Sequence, residues 1–193
     1  MLSKEDVIKK IKEENVSYLK LQFTDISGFL KTVEVPVSQL DSVFNSEIMF
    51  DGSSVEGFAR INESDMFLSP DLDSFKVSPW EEALDGSKVA MFMCDILDIN
   101  KQPFLGDPRY ILKRQLEKLK KLGFSNFKIG LEPEFFLFEK IDPNKPEILL
   151  TDMNGYFDQA PSDRASLCRR EIVLQLEKIG FEIEANHHEV AAS

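Results

Sequence analysis

Residues 18–35 read YLKLQFTDISGFLKTVEV. Leu19, Leu21 and Phe23 alternate with Tyr18, Lys20, Gln22 and Thr24, the period of two expected of a half-buried strand. Asp25-Ile26-Ser27-Gly28 is turn chemistry, with an acceptor side chain first and a glycine last. Phe29, Lys31, Val33 and Val35 then alternate with Leu30, Thr32 and Glu34, which predicts the return strand of a hairpin ending at Pro36. Upstream, Ser3-Lys4-Glu5-Asp6 has the pattern of a capping box, opening a short helix whose apolar side is Val7, Ile8 and Ile11. Downstream, 38–44 fits a short helix, and further strands are expected near 47–50, 66–69 and 88–96. The first hundred residues therefore predict a small, mostly β unit carrying one or two helices.

The chain has 193 residues, 42% of them hydrophobic, with 34 acidic and 23 basic side chains and a formal charge of −11. That length fits one domain or two small ones. The acidic balance excludes a basic footprint for a phosphate backbone, so nucleic acid is not an expected partner. No apolar run approaches the roughly 20 residues of a membrane helix, and the charged start MLSKEDVIKKIKEEN is no signal peptide. A cytoplasmic location is expected. Cys94 and Cys168 are isolated and fit no metal or redox spacing, so both are read as reduced structural thiols.

Composition shifts at Asn100–Pro103 and Gly106–Pro108, and a domain boundary is expected there, dividing 1–103 from 104–193. Asp107 is a good N-cap and Pro108 a good first helical residue. Ile111, Leu112, Gln115, Leu116 and Leu119 follow helical spacing to Gly123. Residues 127–138 read as a strand, 140–161 as a long loop, 163–179 as a second helix and 182–190 as a last strand. The two helices share a design: each ends at a glycine (Gly123, Gly180), a phenylalanine follows, and a glutamate (Glu132, Glu189) stands nine residues past the glycine.

Those glutamates are the chemically loaded positions. On a strand, Glu132 and Glu134 of Glu132-Pro133-Glu134 share a face. Two close carboxylates repel unless a cation or proton intervenes. Converging glutamates with no thiolate nearby suit a hard divalent cation, Mg²⁺ or Mn²⁺. The following Phe135-Phe136-Leu137-Phe138 is expected to be buried. His187-His188-Glu189 is no zinc-type helical pair, and strand parity puts only His187 on the face of Glu189. His188 reads as a core histidine. Glu184 has the opposite parity to Glu189. Asp51-Gly52-Ser53-Ser54 is a turn presenting acceptors and hydroxyls, Tyr156 a polar aromatic in the long loop, and Arg169-Arg170 a helical pair that reads as solvated. No Walker or dinucleotide-binding glycine pattern is present.

In order and spacing, Phe50–Phe58, Glu63-Ser64-Asp65-Met66, Gly106-Asp107-Pro108-Arg109, Glu132–Phe136, Gly155-Tyr156-Phe157-Asp158 and His187–Ala191 resemble class I glutamine synthetase, and the short segment around 140–155 resembles the low-GC Gram-positive branch of that family. The resemblance implies an α+β chain: an N-terminal β-grasp domain followed by the truncated start of the α/β catalytic domain. It also implies ATP-dependent joining of ammonia to L-glutamate through a γ-glutamyl phosphate, with Mg²⁺ or Mn²⁺, in a homo-oligomer, a dodecamer, whose sites lie between subunits. By motif position, Glu134 and Glu189 would hold one ion and Glu132 a second. Glu184 falls at a nucleotide-binding position. Tyr156 and Glu189, with Asp51 and Ser54 from an adjacent subunit, would surround ammonium, and Arg60 falls at a regulatory position.

After Ala191 the chain reads Ala192-Ser193 where the family continues with further metal ligands and phosphate-gripping arginines. The expectation is therefore an incomplete site, inactive on its own, with an exposed sheet edge. The alternative is a non-catalytic module that assembles with, or interferes with, full-length subunits. A third reading keeps the fold and changes the amine substrate; Asp51 and Tyr156 favour ammonia.

Overall fold

The computed structural model describes residues 2–55, 57, 65–140 and 149–192. They form two compact units, Met1–Phe127 and Lys128–Ser193.

In the first unit, α1 (Lys4–Glu13) opens with the expected capping box: Ser3 Oγ accepts from the Asp6 amide, and the Asp6 carboxylate accepts from the Ser3 amide. Val7 and Ile11 are the buried side of this helix, one turn apart as helical geometry requires. β1 (Val16–Thr24) and β2 (Leu30–Pro36) form the predicted antiparallel hairpin, with Leu21 opposite Val33 and Phe23 opposite Lys31. Leu19, Leu21 and Phe23 are buried. At the turn, Asp25 Oδ1 accepts from the Ser27 and Phe29 amides at 3.0 and 2.9 Å, and Gly28 takes the φ of +85° that the reversal needs.

A five-residue α2 (Leu40–Phe44) leads to β3 (Met49–Asp51), β4 (Asp65–Pro70), β5 (Lys76–Glu82) and β6 (Lys88–Leu97). The sheet order is β2-β1-β6-β4-β3, with β5 also paired to β6. β6 is the central strand. It runs parallel to β1, while β5 takes its first half and β4 its second half, both antiparallel. Ala90, Phe92, Cys94 and Ile96, alternate residues of β6, are buried in a core with Val7, Leu19, Leu68 and Phe75. α1 packs on this core, so the helix covers one face of a mixed sheet.

α3 (Pro108–Lys121) follows as predicted, with Asp107 as N-cap and Pro108 in the first turn. Asp107 does more than cap. Its Oδ1 accepts from the Arg109 amide at 2.9 Å and its Oδ2 from the Ile96 amide at 3.1 Å, which ties α3 to β6. Arg109 bridges Asp71 and Asp95, and Lys113 also pairs with Asp95.

The second unit holds a two-stranded ribbon, β7 (Phe138–Lys140) with β8 (Leu149–Leu150), and α4 (Ser166–Lys178). The repeated helix–Gly–Phe design holds at the caps. At α3, the Gly123 amide donates to the Lys120 carbonyl and Phe124 to Leu119; at α4, Gly180 donates to Glu177 and Phe181 to Leu176. Both glycines sit near φ +91°, so both helices close with the same Schellman motif.

The strands expected after those caps do not form. Residues 124–137 and 181–189 carry no helix or strand. Phe135, Phe136 and Phe138, expected to be buried, are exposed. A strand exists only through ladder bonds to a neighbour, and no described segment pairs with either stretch. Strand-like periodicity is thus present in the sequence without a partner to realise it.

Candidate functional site

Asp51 ends β3 and caps the turn Gly52–Ser54. Its carboxylate accepts from the Ser53 amide (2.9 Å), the Ser53 hydroxyl (2.6 Å) and the Ser54 hydroxyl (3.0 Å). The Ser53 hydroxyl and amide, then Ser54, hold its pKa below the ordinary carboxylate value. Gly52 is buried against Met66, where a Cβ would come 2.6 Å from the sulfur, so a larger residue there would force the Met66 side chain to move. Asp51 and Ser54 are therefore adjacent and preformed, and both are exposed. Arg60, with Glu63 and Ser64, lies outside the described residues.

In the second unit, consecutive histidines have different side-chain neighbours. His188 is 3% exposed. Its Nδ1 donates to the Glu189 carbonyl at 2.7 Å and its Nε2 meets Asp152 Oδ1 at 3.0 Å. A carbonyl and a carboxylate only accept, so this geometry calls for a proton on each ring nitrogen. The bond to the Glu189 carbonyl raises the His188 pKa most; burial opposes it and Asp152 adds to it, leaving it above the ordinary histidine value. Burial works against the charge on Asp152, but the Asn154 and Arg164 amides and His188 outweigh it and hold that carboxyl low.

His187 has other neighbours, and its Nδ1 lies 3.0 Å from the His188 carbonyl. Its ring stands edge-on to Tyr156 (5.3 Å between centroids) and Phe157 (4.6 Å), and its Nδ1 lies 3.5 Å from Glu189 Oε1. Tyr156 and Glu189, far apart in sequence, are thus gathered around His187. The Phe157 amide donates to the His188 carbonyl at 3.1 Å, closing the long loop onto this segment.

The family models add the comparison. The model described as the glutamine synthetase β-grasp domain matches residues 15–99, and that of the glutamine synthetase catalytic domain matches 105–193. The chain belongs to the glutamine synthetase family. A glutamine synthetase of Staphylococcus aureus is 56% identical over 189 residues, which are 98% of this chain and 42% of that protein. The Staphylococcus epidermidis protein is 54% identical over the same span. This chain therefore spans about two-fifths of the length of the curated relatives it matches. Among solved structures, Plasmodium falciparum glutamine synthetase superposes with a TM-score of 0.78 at 20% identity, covering 100% of this chain and 43% of that one. At that identity the likeness speaks for the fold.

Set beside the family's chemistry, the candidate acids fall into separate places. Glu132 and Glu134 are exposed in the irregular stretch before β7, Glu184 is exposed in the stretch after α4, and Glu189 is partly buried. One Glu189 oxygen faces His187 and the other accepts from the Val190 amide at 3.2 Å. All-oxygen donors suit a hard cation. Yet among the described residues no three acidic, histidine or cysteine side chains converge on one ion. No described helix is long and apolar enough to cross a membrane.

Two features escaped the sequence reading. Arg169, read as solvated, is largely buried and pairs with Asp163. Asp152, the partner of His188, carried no signal, because its role depends on a contact 36 residues away. The two cysteines also differ: Cys94 is buried and Cys168 exposed on α4.

Proposed function

We propose that this chain carries part of the apparatus of a glutamate–ammonia ligase, which joins ammonia to L-glutamate at the expense of ATP through a γ-glutamyl phosphate. The observation that carries the reading is 56% identity to a protein named glutamine synthetase over nearly the whole chain. The boundary between the β-grasp and catalytic portions is placed at 103/104. Glu132, Glu134 and Glu189 are assigned to Mg²⁺ or Mn²⁺, Glu184 to the nucleotide, and Arg60 to regulation. Asp51, Ser54 and Tyr156, with Glu189, are assigned to ammonium, within an oligomer of identical subunits, a dodecamer. Bound divalent ions would neutralise phosphate charge. The chain's own contribution is a preformed Asp51–Ser54 turn and a Tyr156–Glu189 grouping, each supplying fixed oxygens to a small cation.

The chain alone is expected to be inactive, because it spans only 42% of the length of the relative it matches. Mg-ATP, glutamate and ammonia supplied to the 193-residue chain should yield no glutamine; sustained turnover overturns the expectation that the chain is inactive on its own. A second reading, a module that assembles with longer subunits, is favoured by the exposed Phe135, Phe136 and Phe138, since apolar patches of this kind mark interaction surfaces. Co-purification with a full-length glutamine synthetase supports it, and a lone monomer at high concentration refutes it.

A further inference from the structure

The long loop and the segment carrying Glu189 meet through a buried polar pair that the proposed chemistry does not use. The His188 and Asp152 side chains are 2% and 5% exposed. Every contact of this pair holds backbone or loop. Asp152 Oδ1 accepts from the Asn154 amide (3.1 Å) and Oδ2 from the Arg164 amide (3.2 Å), bracing both ends of the loop that contains Tyr156. His188 contacts Asp152 through Nε2 and the Glu189 carbonyl through Nδ1, and its own carbonyl receives the Phe157 amide. A carboxylate and an imidazole out of water are costly unless fully bonded. Here the bonding is complete at both ring nitrogens, so the pair has one strongly preferred arrangement.

We propose that Asp152 and His188 are positioning residues, a clamp that sets the Tyr156 loop and Glu189 at a fixed mutual distance. The inference rests on the reading of Tyr156 and Glu189 as site residues. Three observations support it independently of that reading. Among the described residues of the second unit, the buried apolar side chains are Ala165 and Ile179, beside the buried polar Asp163 and His188. Polar contacts therefore carry much of the order seen there. The clamp joins the loop to the 187–190 segment through a hydrogen-bonded side-chain pair. His187 then has its ring against Tyr156 and its Nδ1 toward Glu189. Two adjacent histidines thus divide the work, one anchoring inward and one spacing the phenol from the carboxylate outward.

The test uses the isotope-labelled full chain, with amide exchange and the Tyr156 ring resonances as readouts. His188→Ala should speed Phe157 amide exchange about ten-fold or more and move the Tyr156 ring signals, with α4 amides and Trp80 fluorescence unchanged. Asp152→Ala should do the same. His188→Gln, whose amide reaches the Asp152 position, should restore most of the protection; rescue of this kind is not expected of a side chain that merely fills space. Unchanged Phe157 exchange in His188→Ala, loss spread evenly through α4, or failure of the glutamine variant overturns the clamp. Adding Mn²⁺ alone to the wild-type chain separates the two readings. Broadening centred on Glu189 and reaching residues 155–158 supports both. Its absence overturns ion binding at Glu189 within this chain, while the exchange data alone decide whether the clamp exists.

Discussion

Asp107 offers a direct test of how the sheet is tied to α3. Ile96 is opposite Leu68 in the β4–β6 pair, but the Leu68 amide bonds to Ile48 rather than to β6. The Ile96 backbone therefore faces away from β4, past the point where the β1–β6 ladder ends at Gln22 and Met93. Its carbonyl is met by the Phe104 amide and its N–H by Asp107. In Asp107→Ala two bonds vanish together. Loss of the N-cap costs about 1 kcal/mol. Orphaning a buried N–H costs a further ~2 kcal/mol. Burial raises the Asp107 pKa above the ordinary carboxylate value, so removing the charge returns part of this. The net expectation is a loss of about 2–3 kcal/mol.

Asp107→Asn keeps one oxygen acceptor and turns an NH₂ toward the other amide, so about half the loss is expected. Urea unfolding followed through Trp80, the single tryptophan, reports the unit that contains β5. With a slope of about 1.5 kcal/mol per molar urea, the alanine midpoint should fall by ~1.3–2 M. A shift under about 0.3 M, or an asparagine variant weaker than the alanine one, refutes the reasoning.

Other outcomes follow from single contacts. Burial pushes the Cys94 thiol up to about 12, so a thiol reagent at pH 8 should titrate Cys168 alone in the folded chain and both cysteines after denaturation; two fast thiols in the native chain contradict the packing of β6. The Asp163 carboxyl is held below its ordinary value of 3.8, first by its hydrogen bond from Arg169. A depressed folded pKa gives stability that is present above the unfolded value and lost as pH falls through the folded one. Loss of α4 ellipticity below about pH 4 should therefore be shallower in Asp163→Asn, and equal slopes would count against the pair. Replacing exposed Phe135 and Phe136 with serine should change stability by less than about 0.5 kcal/mol while lowering light scattering; a large stability loss would show that they are packed after all.

Local chemistry carried much of this protein in plain view. The alternation of residues 18–35, the Ser3 capping box, the Asp107-Pro108 helix start and the Gly123 and Gly180 stops each depend on neighbours a few residues away, and each appears where the sequence places it. The order of motifs likewise identified the family. Tertiary structure decided the rest. Whether 127–138 and 182–190 become strands depends on a ladder partner, which periodicity cannot supply. Whether Arg169 is solvated depends on its pairing with the buried Asp163 just before α4. The pairing of Asp152 with His188 spans a loop whose path no local rule describes. Short-range contacts are written in composition and spacing; a contact between distant residues exists only once the intervening chain has paid its ordering entropy and brought them together.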